Sequence, residues 1–64
     1  MTPEQSAEIA ALLRTLDGID PGTDWRARCV EITGTPARML TRTGAVILIE
    51  RLRAEVQALN RENE

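Results

Sequence analysis

The sequence predicts an all-α protein: a small three-helix bundle with a long C-terminal helix that carries a heptad seam. Three observations predict this class. Apolar residues recur at helical spacing in three stretches, Gly and Pro separate those stretches, and no stretch has a convincing strand pattern. At 64 residues the chain is expected to form a single helical domain over 1–64.

The first helix is predicted over residues 3–17. Thr2 is a suitable N-cap, Pro3 fits the first helical position, and Gln5 completes a capping box. Gly18 is the predicted stop, because Gly readily adopts the left-handed conformation that often ends a helix. The apolar face of this helix is formed by Ile9, Leu12, Leu13 and Leu16.

The second helix is predicted over residues 24–33, with Asp24 as its cap and Gly34 as its end. Its buried stripe is formed by Trp25, Cys29 and Ile32. The following segment, 36–40, has two interpretations. It forms a short helical turn, or it continues into the last helix as one uninterrupted helix from Pro36.

The third helix is predicted over residues 42–62, with Thr41 as its cap. At 1.5 Å per residue it is ~30 Å long, so its end should project beyond the shorter helices. Its apolar residues recur at alternating steps of four and three, the spacing with which one helix lies along another. We expect an oligomer interface at Ala45, Ile49, Leu52, Val56, Leu59 and Asn63.

Residues 45–49 are apolar on every side of this helix, so both the chain itself and a partner should cover them. Packing of the three helical stripes against one another then defines the predicted core. The core residues are Ile9, Leu12, Leu13, Leu16, Trp25, Cys29, Ile32, Leu40, Val46, Ile49 and Leu52.

Oligomerisation is the remaining means of stabilising so short a chain. Folding of a domain this small buries only about 60% of the surface that the unfolded chain exposes. One cysteine and no histidine allow neither an intrachain disulfide nor a structural zinc site. We therefore expect a homodimer or a higher homo-oligomer.

The charge pattern argues against a general nucleic-acid binder, because the net charge is -2 and such proteins are usually basic. The middle of the chain is nevertheless mildly basic and has a helix–turn–helix pattern over residues 24–43. The alternative function is therefore a small DNA-binding regulator that acts as a dimer. Its contact residues would be Arg26, Arg28, Arg38 and Arg42.

Catalysis is not expected, because the chain contains no His, Tyr or Lys. Cys29 lies on an apolar stripe and is interpreted as a buried structural residue. We expect no cofactor and no bound metal. The longest aliphatic run, 45–49, is far shorter than the ~20 residues that span a bilayer. No signal peptide is visible, so a cytoplasmic location and no membrane partner are predicted.

The chain resembles a small helical module of actinobacterial and actinophage proteins. The matching features are a Thr-x-x-Gln start at Thr2, an arginine-rich second helix ending in Gly34, and Leu-Thr-Arg at 40–42 followed by apolar residues at 45, 49 and 52. Met39 and Gly44 depart from the module, which has an acidic residue and Glu there. The resemblance covers most of residues 2–52 and implies a helical fold.

This module is often appended to phage-type recombination and replication proteins, including single-strand annealing recombinases. The resemblance brings no catalytic residues, and it implies a context of DNA metabolism. Together with the seam, it leads us to expect a non-enzymatic protein-interaction or regulatory module that self-associates through its C-terminal helix. A third possibility is that the seam binds a different host or phage protein.

Overall fold

The computed structural model describes residues 1–62 and consists of helices joined by short connections. The helices are α1 (Pro3–Ile19), α2 (Trp25–Thr33) and α3 (Arg42–Glu62), with a short 3-10 turn at Ala37–Met39 before α3. The predicted all-α bundle with a long C-terminal helix is confirmed. None of the helices within residues 1–62 is both long and apolar enough to cross a bilayer.

The chain reverses direction twice, so α1 and α3 begin at the same end of the bundle. The side chain of Gln5 donates from Nε2 to the carbonyl oxygen of Arg42 at 3.1 Å. α2 runs the opposite way, since Arg28 near its start pairs with Glu55 late in α3. Most of the contact between helices lies between α1 and α3.

Local capping chemistry begins α1 as predicted. The Gln5 amide N–H donates to Thr2 Oγ1 at 3.1 Å, and the Thr2 amide N–H donates to Gln5 Oε1 at 3.0 Å. The predicted stop at Gly18 is wrong, because α1 continues through Gly18 and is capped at Asp20. Pro21 follows, and a proline disfavours helical geometry at the residue before it, which explains why α1 ends at Ile19.

The bounds of α2 follow the predicted signals. Asp24 accepts a hydrogen bond from the Ala27 amide at 3.2 Å, and Gly34 ends the helix with a φ of 75°. The alternative of one helix from Pro36 is wrong, because Leu40 is extended and separates the 3-10 turn from α3. Thr41 then caps α3, since its hydroxyl accepts the Gly44 amide at 3.1 Å.

A single hydrophobic core lies between the three helices. Its buried residues are Ile9, Leu16, Trp25, Cys29, Leu40, Ala45, Leu48, Ile49 and Leu52. Leu12, Leu13 and Ile32 were predicted for the core and are partly buried against it.

The prediction of Val46 as a core residue is wrong, because its side chain is 47% exposed. Leu48, which was not predicted, is fully buried. Successive residues of a helix are rotated by about 100°, so only one phase of an all-apolar run can face α1 and α2. Ala45, Leu48 and Leu52 share that phase at steps of three and four, whereas Val46 lies to one side of it.

Gly18 and Gly34 have opposite backbone requirements, and replacing each by alanine should change stability in opposite directions. Gly18 lies within α1 with open space around its missing Cβ, so Gly18→Ala should stabilise by about 0.5–1 kcal/mol. Gly34 has a positive φ, so Gly34→Ala should destabilise by about 1 kcal/mol.

Thermal unfolding followed by circular dichroism, at one fixed protein concentration, measures both changes. A change of 1 kcal/mol corresponds to about 4–8 °C in Tm for a domain of this size. Each glycine is the control for the other, and shifts of the same sign would contradict the assigned end of α1 or of α2.

Candidate functional site

The predicted interface along α3 is largely occupied by the chain itself. Ala45, Ile49 and Leu52 are buried in the intrachain core. A partner helix cannot contact them while this fold persists, so the prediction of an oligomer interface is wrong for these three residues. The heptad spacing correctly indicated that α3 lies along other helices, but those helices are α1 and α2 of the same chain.

The later part of the seam is also partly covered. Val56 and Leu59 are half-buried and pack against the core, so the end of α3 does not present a bare apolar stripe. Asn63, the last predicted interface residue, lies outside the described residues. What α3 still exposes is its outer side, where Val46 and Ile47 face away from the core.

An apolar surface lies where α2, the 3-10 turn and α3 meet. Met39 is 68% exposed and Ile47 is 51% exposed, and together with the half-buried Ile32 they line one groove of about 340 Å³. We call this surface the uncharged face, because no charged residue lines this groove. The rim of the uncharged face is formed by Thr33, Thr35 and Thr41. The next groove shares Ile32 and Ile47 and is lined by Arg28, Glu31 and Arg51.

The threonine hydroxyls of the rim are largely engaged in hydrogen bonds within the chain. The Thr41 hydroxyl accepts a hydrogen bond from the backbone at the start of α3, and the Thr33 hydroxyl lies 2.9 Å from the carbonyl oxygen of Cys29. Both side chains thus bond to the protein's own backbone. A partner that covered Met39 and Ile47 would displace water mainly from carbon atoms.

The four arginines predicted for DNA contact do not form one patch. Arg28 lies on the side of α2 near α3, where it pairs with Glu31 at 3.5 Å and with Glu55 at 3.8 Å. Arg42 is exposed at the start of α3. Only Arg26 and Arg38 line a common groove, on the side of α2 near α1.

Arg14, the third arginine of that groove, is not among the residues predicted for DNA contact. It projects from α1, so no local pattern connects it with Arg26 or Arg38, and only the packing of α1 against α2 brings them to one place. The floor includes Leu13 and Ala37, and the lining contains no carboxylate. We call this site the arginine groove.

The single cysteine and the single aromatic residue are both buried. Burial raises the pKa of the Cys29 thiol, and the nearby Arg26 only partly opposes this effect. A protonated, enclosed thiol is a poor nucleophile. The Trp25 indole N–H donates to the Asp20 carbonyl oxygen at 3.1 Å, so the ring closes the core rather than stacking on a nucleic-acid base.

Within residues 1–62, the side chains of Cys, Asp and Glu form no group of three that could hold a metal ion. The candidate interaction sites are therefore the two surfaces on either side of α2. The uncharged face lies between α2 and α3, and the arginine groove lies between α2 and α1.

Cys29 should react with a thiol reagent only when the chain unfolds. We expect slow labelling by a chromogenic disulfide reagent at neutral pH and rapid labelling of one thiol in denaturing urea, because burial both shields the sulfur and keeps it protonated. Cys29→Ser gives the background rate. Native labelling as fast as that of free cysteine would contradict the buried position.

Comparisons of this chain with protein-family models, with curated proteins and with solved structures found no match. The resemblance to the actinobacterial and actinophage helical module therefore stays a prediction.

Proposed function

We propose that this chain is a non-enzymatic protein-interaction or regulatory module that self-associates through the uncharged face. The observation that carries the proposal is the joint exposure of Met39 and Ile47 in one groove without charged lining. Contiguous exposed apolar surface on a small protein is typical of an interaction site. The C-terminal helix thus contributes to self-association, but through its outer side rather than through the predicted seam.

A second copy of the chain suits this surface because the groove itself has no charged lining and the charged residues next to it, Arg28, Glu31 and Arg51, are of both signs. A twofold dimer places the same patch of both subunits face to face, so a patch of one charge sign would repel its own copy. The uncharged face has no charged lining, so its pairing with a second copy does not cause this repulsion. Fully burying an Ile or Met side chain contributes about 1.5–3 kcal/mol, and roughly half of that gain is still open at Ile47.

The small size of the chain makes such a gain significant. A domain of 64 residues has a marginal core, and the end of α3 extends past the shorter α1 and α2. Pairing at the uncharged face would cover the junction of the short helix α2 with α3. Association would in this way stabilise the subunit fold as well as the dimer.

The sequence resemblance alone supports a phage or actinobacterial module of DNA metabolism. A cytoplasmic location remains part of the proposal on the ground given in the sequence analysis, that no signal peptide is visible. The alternative of a dimeric DNA-binding regulator has the support of Arg26 and Arg38 in one groove, but Arg28 is already paired with carboxylates and Arg42 lies apart. We therefore favour protein interaction.

Ile47→Glu should separate the subunits, because pairing would bury a charged carboxylate that must lose its hydration where an aliphatic side chain was buried before. The matched control is Val46→Glu, which changes the next residue of α3 with similar exposure but lies outside the groove. In sedimentation velocity, we expect the dissociation constant to rise at least about tenfold for Ile47→Glu and to stay unchanged for Val46→Glu, a difference of about 1.4 kcal/mol.

Circular dichroism should show the same helix content for both variants, since both positions are exposed. Leu52→Asp is unsuitable for this purpose, because Leu52 is fully buried in the intrachain core and the charge would unfold the chain. A wild-type protein that stays monomeric up to about 1 mM, or equal weakening by both glutamates, would overturn the proposal.

A further inference from the structure

We infer that the arginine groove binds an acidic amphipathic segment of a different protein. This site is separate from the uncharged face, and its occupant is of a different kind. The two surfaces would allow one copy of the chain to associate with itself and to hold a partner at the same time.

The groove is built from three segments that are distant in the sequence. Arg14 comes from α1, Arg26 from α2 and Arg38 from the 3-10 turn, around a volume of about 380 Å³. A neighbouring groove of about 360 Å³ shares Arg26 and Arg38 and continues along α2 toward Val30. The two grooves together therefore reach from Arg14 of α1 to Val30 of α2, a surface along which a helical segment can lie.

The charge of the groove selects an acidic occupant. Arg14 and Arg38 have no carboxylate within 4.0 Å among residues 1–62, and Arg26 has one partner there, Asp17 at 3.8 Å. That pair is exposed, so its contribution is small and an incoming carboxylate can replace it readily. The same charge disfavours a second copy of the chain, since three arginines would face three arginines.

The apolar side chains at the base of the arginine groove favour binding of a peptide over binding of a nucleic acid. Leu13 and Ala37 lie beneath the arginines in both grooves, and Val30 adds an exposed aliphatic side chain at one end. Apolar anchors of an amphipathic helix fill such a floor, whereas a phosphate backbone makes no use of it. Trp25, the one residue that offers a stacking platform for bases, is buried.

The recognition chemistry follows from these two features. Guanidinium groups bind carboxylates through paired hydrogen bonds, and three of them around a floor fix both the position and the orientation of an acidic segment. The preferred segment has large apolar residues at i, i+3 and i+7, with Glu or Asp on both sides of that stripe.

The test uses the full chain labelled with ¹⁵N and a synthetic helical peptide of about 15 residues, a length at which an isolated helix begins to form. The peptide has Leu at i, i+3 and i+7 and Glu at the flanking positions. We expect amide shifts to concentrate at Leu13, Arg14, Arg26, Ala37 and Arg38, and the affinity to fall as salt rises. Shifts centred on Ile47 would overturn the inference.

Arg14→Glu and Arg38→Glu should each weaken peptide binding at least about tenfold. Arg61→Glu, at the far end of α3, changes the net charge equally and should bind as the wild type does. A peptide with Ser in place of Leu should bind more weakly, because it cannot use the apolar floor. Equal loss in the Arg61 variant, or equal binding by the Ser peptide, would overturn the inference.

Duplex and single-stranded DNA oligonucleotides complete the comparison under the same salt conditions. Tighter binding of either DNA than of the acidic peptide, abolished by Arg14→Glu, would assign the groove to nucleic acid and overturn the peptide assignment. The oligomeric state of the Arg14 and Arg38 variants should not change, so failure at this site is distinguishable from failure of self-association at the uncharged face.

Discussion

The bundle depends on the packing of α1 against α3 through three leucines. Leu16, Leu48 and Leu52 are the largest side chains without any exposed surface, and Ala45 beside them lets the helices approach closely. A buried leucine contributes about 1.5–3 kcal/mol, which is a large part of the stability of so small a domain. The apolar stripe of α3 is therefore used inside the chain, and surfaces for partners must lie elsewhere.

The short helix α2 determines where those surfaces lie. It has nine residues, against 17 in α1 and 21 in α3, so it covers only part of the pair. On the side toward α3, a groove without charged lining lies beside one lined by Arg28, Glu31 and Arg51. On the side toward α1, the groove contains three arginines and no carboxylate. The helix α2 thus separates a surface that suits an apolar partner from one that suits an acidic partner.

The sequence predicts the helices well because their ends are fixed by local chemistry. Thr2, Asp24, Gly34 and Thr41 act as caps or stops within a few residues of themselves, and the structure places each as predicted. The predicted end at Gly18 is wrong, because α1 tolerates this glycine and ends only at Ile19, just before the proline at position 21. In the run 45–49 every residue is apolar, so the sequence does not show which side of the helix faces the core. The predicted core therefore includes Val46, which is exposed, and omits Leu48, which is buried.

The candidate surfaces were less predictable, because they arise from tertiary packing. A heptad spacing does not say whether the facing helix belongs to the same chain, which is why Ala45, Ile49 and Leu52 were assigned to a partner. Arg14 and Arg38 are 24 positions apart and on different elements, so nothing local links them. Proximity of that kind becomes visible only when the three helices are assembled.

The amide of Gln5 serves two helices at once. Its oxygen accepts the Thr2 amide within the first turn of α1, and its nitrogen donates to Arg42 in the first turn of α3, 37 positions away. A glutamate would keep the first bond and lose the second, because a carboxylate has no hydrogen to donate. The opening turns of the two longest helices are thus coupled through one side chain, so fraying of either start would be transmitted to the other.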